Sequence, residues 1–295
     1  MKINPCLLAT LLMTSNAIAA DLPQPPDVAK KPHVVKAPFG AERTDEYYWL
    51  RDDTRKNPEM LAYLKAENAY TDAFMARLEP LKEQVYEEIV GRIKQDDSSV
   101  PYHERGYWYY TRYETGKDYP IHARRKGAMD APEEVLLDVN TMAKGKDYFS
   151  VGDWEVSQDN TMLAWAEDAV GRRQYVIKFR NLATGETYTD EVKGVSPNLV
   201  WADDNKTLFY VENHPTTLLT TKVKKHVVGT PSSQDVLVYT EKDDSFYMGV
   251  GRTRDDKFIC ITVDSTVSSE ARCAPASDPK EFVVLAPRQR DVEYE

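Results

Sequence analysis

Between residues 58 and 94 the apolar positions fall at helical spacing. Asn57 is a good helix N-cap and Pro58 suits a first helical position, after which Leu61, Leu64, Thr71, Met75 and Leu78 lie near one stripe of period 3.6. Beyond Pro80, Leu81, Val85, Ile89 and Ile93 recur every fourth residue. The spacing predicts an amphipathic helical pair over 58–94, interrupted at Pro80. Upstream, Pro23, Pro25, Pro26 and Pro32 sit among lysines with no apolar period, which predicts an extended arm from Asp21 to about Pro38.

After Gln95 the pattern changes to short apolar runs set off by turn residues. Asp159–Asn160 precedes Met162 to Trp165, Asp204–Asn205 precedes Leu208 to Val211, and Asp255–Asp256 precedes Phe258 to Ile261. The leading Asp recurs at intervals of 45 and 51 residues, and an earlier run, Tyr107 to Tyr110, follows Glu104. Each acidic pair reads as a tight turn opening a strand, because Asp hydrogen-bonds its own downstream backbone. The runs Tyr175 to Phe179 and Asp235 to Tyr239 add further strands to the same units. A repeat of this length holding about four strands has the size of one β-propeller blade. The fold class expected is therefore mainly β: an incomplete β-propeller of about four blades, with Asp291 to Glu295 opening a fifth, preceded by an arm and two α-helices. A β-sandwich also yields short strands at regular spacing, but it has no reason to repeat a turn-plus-strand unit at this period.

The N-terminus changes the picture of where the protein works. Lys2, an apolar run from Cys6 to Met13 and the small-x-small stretch Ala17–Ile18–Ala19 have the form of a removable secretion signal over 1–19. The expected location is the periplasm or the cell exterior, with no membrane association after cleavage near Ala19. The formal charge of −10 makes a phosphate backbone a poor partner, so nucleic-acid binding is not expected. Cys260 and Cys273 remain after cleavage; a cross-strand bridge is one reading, but two small buried thiols are the favoured expectation.

Specific stretches then resemble a known family. Asp45 to Asp53, with Tyr47–Tyr48–Trp49–Leu50 at its centre, resembles the Tyr-x-Trp-Leu-acidic signature near the start of prolyl oligopeptidase-family serine peptidases. Residues 92–126, Gly171 to Tyr175, Trp201 to Tyr210, Ser265 to Arg272 and Asp291 to Glu295 are similar to the oligopeptidase B branch of that family, in collinear order over nearly all of 33–295. The resemblance implies a seven-bladed propeller covering an α/β-hydrolase domain, with the arm and helices of 20–95 packed on that domain and a partial propeller over 96–295. It implies trypsin-like cleavage of short basic peptides after Lys or Arg, with the propeller filtering substrates by size. The hydrolase domain is then the chief partner of this chain.

Family catalysis needs a Ser on a Gly-x-Ser-x-Gly elbow, a His and an acid. No such elbow occurs in the sequence, and the resemblance places all three groups beyond the propeller. The expected catalytic, metal and cofactor sets in these residues are accordingly none. His33, His103, His122, His214 and His226 show no metal-ligand spacing and read as ordinary surface or hydrogen-bonded histidines. Arg124–Arg125–Lys126 and Lys222, Lys224 and Lys225 are the dense basic clusters, expected at exposed strand or loop positions. The pairs Asp96–Asp97, Asp203–Asp204, Asp243–Asp244 and Asp255–Asp256 read as turn formers rather than calcium ligands. Alternate residues of 107–110 are expected to pack between blades. A free-standing secreted binding module is the alternative function, since four-bladed propellers exist.

Overall fold

The computed structural model describes residues 23–294, so the signal expected at 1–19 lies outside the described residues. Two compact units adjoin in sequence between Lys94 and Gln95.

In the first unit the end of the arm is paired into a hairpin. Strand β1 (His33–Lys36) pairs antiparallel with β2 (Glu42–Asp45), because the proline-free stretch after Pro32 retains the N–H donors a ladder needs. Helix α1 (Pro58–Met75) starts where its cap predicts: Asn57 Oδ1 accepts the N–H groups of Glu59 at 3.0 Å and Met60 at 3.3 Å. Pro80 does not break the path. A 3-10 turn over Ala76–Leu78 leads into α2 (Glu79–Arg92), where Pro80 occupies the first turn and has no intrahelical bond to lose. The stripe on these helices stays exposed, with Leu81 57%, Ile89 56% and Ile93 59% accessible.

The second unit holds four blades. The first is the meander β3 (Tyr102–Glu104), β4 (Tyr107–Arg112), β5 (Ile121–Lys126) and β6 (Glu133–Asp138), followed by a short helix α3 (Val139–Ala143). The next two share one seven-stranded sheet: β7 (Ser150–Val156), β8 (Met162–Asp168), β9 (Tyr175–Asn181), β10 (Val192–Trp201), β11 (Thr207–Asn213), β12 (Thr220–Val227) and β13 (Val236–Thr240). Strand β10 serves both blades. Its first residues pair with β9, its last with β11, and the register breaks between Val195 and Leu199 where it crosses over. The fourth blade is β14 (Tyr247–Arg252), β15 (Phe258–Asp264), β16 (Ser269–Pro275) and β17 (Val283–Ala286). Among the described residues no strand of this last sheet pairs with a strand of the first.

The sequence repeat is the turn between the first and second strand of each blade. Asn160, Asn205 and Asp256 all adopt positive φ, at 63°, 56° and 60°. The Asp before each accepts from the backbone two residues on: Asp159 from Thr161 at 3.0 Å, Asp204 from Lys206 at 3.0 Å, and Asp255 from Lys257 at 3.3 Å. In the first blade Arg105 and Gly106 take the two positive-φ positions instead.

Apolar clusters fill the space between neighbouring sheets. Tyr109 and Leu137 of the first blade meet Leu163 and Trp165 of the second, and Phe209 and Val211 of the third meet Ile259 and Ile261 of the fourth. Tyr109 is 1% exposed, as alternation along 107–110 predicts, although Tyr110 beside it is also buried.

The expectation of free thiols is overturned. In the register of β15 and β16, Cys260 lies directly opposite Cys273 with Cα atoms 4.1 Å apart, and the two form a disulfide. Spacing alone carries no register, which is why the sequence did not decide the matter. The segment opening the expected fifth blade folds back on the fourth: Val292 bridges Ser268, and the Tyr294 hydroxyl accepts the Ala271 N–H and donates to the Ala286 carbonyl, both at 2.8 Å.

Candidate functional site

The first strands of the four blades converge on one cavity of about 340 Å³. Glu104 and Arg105 come from the first blade, Asp153 and Glu155 from β7, Asn198 and Val200 from β10, and Arg252 and Asp256 from β14 and its turn. Strand alternation sends Asp153 and Glu155 to one face, while Trp154 between them packs with Tyr109 and Leu163. Gly152 lets β7 approach β10 closely: a Cβ there would lie 2.4 Å from that of Pro197.

Side chains stitch the inner strands together. Asn198 acts as a peptide surrogate, accepting the Val250 N–H at 2.5 Å and donating to the Val250 carbonyl at 2.9 Å. Trp201 donates to the Glu155 carbonyl at 3.0 Å, and Arg252 donates to the Trp201 carbonyl at 2.8 Å. Arg105 reaches Gln158 at 3.0 Å and, across the cavity, approaches Asp256 at 3.8 Å. Arg252 is held by Asp203 at 2.6 Å.

Both arginines are therefore committed to protein partners, whereas Glu155 is not. No hydrogen bond within the described residues reaches its carboxylate, and burial, then the nearby Asp153 and Glu104, push its pKa up to about 8. Burial pushes Asp153 up to about 6, opposed by the backbone N–H groups of Trp154 and Leu199. A cation entering here would favour the ionised form of Glu155. No Ser, Cys or His is among the residues that line the cavity.

The residues singled out in the sequence scatter. His33 stacks on Tyr48 at 4.1 Å, His103 meets Trp108 edge-on, and His122 bonds Thr111 at 3.1 Å with its pKa lowered by burial. His214 caps its own hairpin turn. His226 lies within β12 rather than in a loop and is fully buried. Its Nδ1 is 2.7 Å from Asp235 and its Nε2 2.9 Å from Asp190, with Tyr210 donating to Asp235 at 2.7 Å. This network ties β12 to the segments entering β10 and β13. Nothing in the sequence marks it, since Asp190, His226 and Asp235 share no motif.

The basic triplet is corrected in part. Arg124 is 3% exposed, bonding Glu134 at 2.9 Å and the Asn160 carbonyl at 3.3 Å while covering the Tyr107 ring. It points inward because β5 is the third strand of a meander, with one face turned to the next blade. Lys222 and Lys224 pair with Glu212. Of the acidic pairs, Asp203 and Asp256 serve the inner-strand cavity, and Asp243 caps a turn by accepting from Ser245.

Residues 26–295 match the family described as prolyl oligopeptidase, N-terminal beta-propeller domain. The chain is 63% identical to dipeptidyl aminopeptidase BI of Pseudoxanthomonas mexicana, over the whole of this chain and 43% of that protein. It is 33% identical to protease 2 of Moraxella lacunata, over 85% of this chain and 37% of that protein. The structure of oligopeptidase B from Leishmania major superposes with a TM-score of 0.86 at 31% identity, over 92% of this chain and 41% of that one. The chain thus spans about two fifths of the length of the relatives it matches. With the blades and their inner strands in place, this match over nearly every described residue assigns the chain to the prolyl oligopeptidase family, as an N-terminal portion bearing the propeller.

Proposed function

We propose that the chain is the substrate-admitting part of an exported serine peptidase that cleaves short peptides after Lys or Arg. The observation that carries this reading is the cavity where the inner strands meet, with its unpartnered Glu155 beside Asp153 and Glu104. Carboxylates held partly neutral by burial favour a lysine ammonium, an arginine guanidinium or a peptide amino terminus, each of which would let them ionise. Admission through a narrow passage between blades excludes folded proteins and passes extended peptides. The serine, histidine and acid of catalysis are assigned to the part of the relatives' length that lies outside these residues, and no residue here takes a catalytic role. The exposed stripe of α1 and α2 is the face that this hydrolase part covers. Export is supported by the form of residues 1–19 and by the Cys260–Cys273 disulfide, which persists in oxidising compartments.

A second specificity is favoured by the 63% identical relative, whose name describes release of dipeptides from an amino terminus. Hydrolysis of Gly-Arg-aminomethylcoumarin and its N-acetylated form separates the two. The chain extended through its downstream reading frame is expected to cleave the arginyl substrates, and the 295-residue chain neither. Dipeptide release predicts at least a tenfold preference for the free amine, whereas cleavage indifferent to acetylation leaves the endopeptidase reading. Hydrolysis by the short chain, or equal cleavage of the Gly-Ala analogue, would refute the proposal.

A further inference from the structure

A second cavity, also of about 340 Å³, opens between the β8–β9 loop of the second blade and the β11–β12 hairpin of the third. Both walls are preset by a side chain at their base. Asp168, 1% exposed, accepts the N–H groups of Val170 at 2.7 Å, Gly171 at 3.1 Å and Arg173 at 2.8 Å, which fixes the first loop. His214 Nδ1 accepts from Thr216 and Thr217, both at 3.2 Å, which fixes the second. Each loop also holds a non-glycine residue in the left-handed region, Arg173 at φ 55° and Leu218 at φ 61°. Such strain in an aliphatic residue persists only where surrounding contacts enforce it, and it concentrates at ligand sites.

The lining supplies three complementary features. Val170, Val176 and Leu218 make an apolar wall. The Asn213 side-chain oxygen is buried and accepts no hydrogen bond from the described residues, so a donor placed against it relieves an unmet desolvation cost. Arg173 is exposed at the rim and forms no ion pair within the described residues, in contrast to Arg105, Arg112, Arg124 and Arg252. An apolar group, an N–H donor and an anion at neighbouring positions are together the C-terminal residue of a peptide: its side chain, its amide N–H and its carboxylate.

We propose that this cavity binds the free C-terminal residue of short peptides, with Arg173 pairing the carboxylate, Asn213 accepting the terminal amide N–H, and the valine and leucine wall taking an apolar side chain. The assignment rests on the reading that the protein handles short peptides and adds a second anchoring point for them.

The test is titration calorimetry of the full chain with N-acetyl-Gly-Leu and with the corresponding C-terminal amide. The free acid is expected to bind saturably and the amide about tenfold more weakly, the loss of one charge-assisted contact. Arg173→Gln, an exposed substitution, is expected to keep the wild-type melting curve and abolish the difference between acid and amide. Asn213→Ala is expected to weaken both ligands alike. Equal binding of acid and amide, an unchanged preference in Arg173→Gln, or no saturable heat would overturn the assignment. The probe has neither a free amino end nor a basic residue and is not hydrolysed, so failure here leaves the peptidase reading standing; conversely, failure of the coumarin assay leaves this binding result intact.

Discussion

Helices α1 and α2 and strand β8 are all marked in the sequence by their apolar residues, yet they end in opposite environments. Every residue of β8 from Met162 to Asp168 is buried, whereas Met60 is the one buried residue along the two helices. The helices meet local criteria: α1 is capped by Asn57, both carry proline in the first turn, and α2 holds the Glu88–Arg92 pair. Strand β8 satisfies no such local rule, and its alternation is hidden by burial on both faces. Period makes the element; only a second layer buries it. The burial is a property of the neighbouring sheets, not of the segment itself.

The largest expected contrast follows from this difference. Phe209→Ala in the packed face between the third and fourth blades should cost about 3–5 kcal/mol through the cavity it leaves. Ile89→Ala on the exposed stripe should change stability by about 0.5 kcal/mol or less. Urea unfolding of the two variants measures both. A large loss for Ile89→Ala would mean that the stripe is already covered in solution, for example by a second copy of the chain.

Removing His226 should come close to the core variant. His226→Ala leaves Asp190 and Asp235 facing each other without the group that bonds both, an expected loss of about 3 kcal/mol. Near-UV circular dichroism and urea melts would register it. An effect below about 1 kcal/mol would show that the network relaxes, with water replacing the imidazole.

Reduction of the Cys260–Cys273 disulfide should lower stability by about 2–3 kcal/mol, because it frees a short loop of the unfolded chain. Chemical melts with and without dithiothreitol would read this change, and the Cys260→Ser/Cys273→Ser pair should match the reduced protein.

A further contrast is set by pH. Glu155 has its pKa raised from 4.5 to about 8, so the folded state holds a proton that the unfolded state releases. Stability from this group is full below pH 4.5 and is lost as pH rises through about 8. Glu155→Gln should therefore flatten the stability profile across that window, removing the loss of stability on the alkaline side and leaving pH 4 unchanged. Melting temperatures between pH 4 and pH 9 would show it. A parallel profile in the variant would place the titration on another group.

Much of the fold was legible because its signals are local. The Asp-led turns announced the hairpin of the second, third and fourth blades, since an Asp side chain and a positive-φ residue after it close a tight turn. Asn57 and Pro58 fixed the start of α1 for the same reason. The sites were less legible. Asp153 and Glu155 look like ordinary strand carboxylates until four inner strands bring them together, and Arg124 looked like a surface residue until the meander turned its face inward.

By itself the sequence determined the helical pair, the blade-sized repeat and the family resemblance, all of which depend on residues near one another or on their order along the chain. Tertiary structure alone decided the pairing of Cys260 with Cys273, the His226 clamp, the raised pKa of Glu155 and the orphaned oxygen of Asn213. Each arises from groups that strand register and blade packing bring together, and their energies depend on desolvation by neighbours that no local window contains.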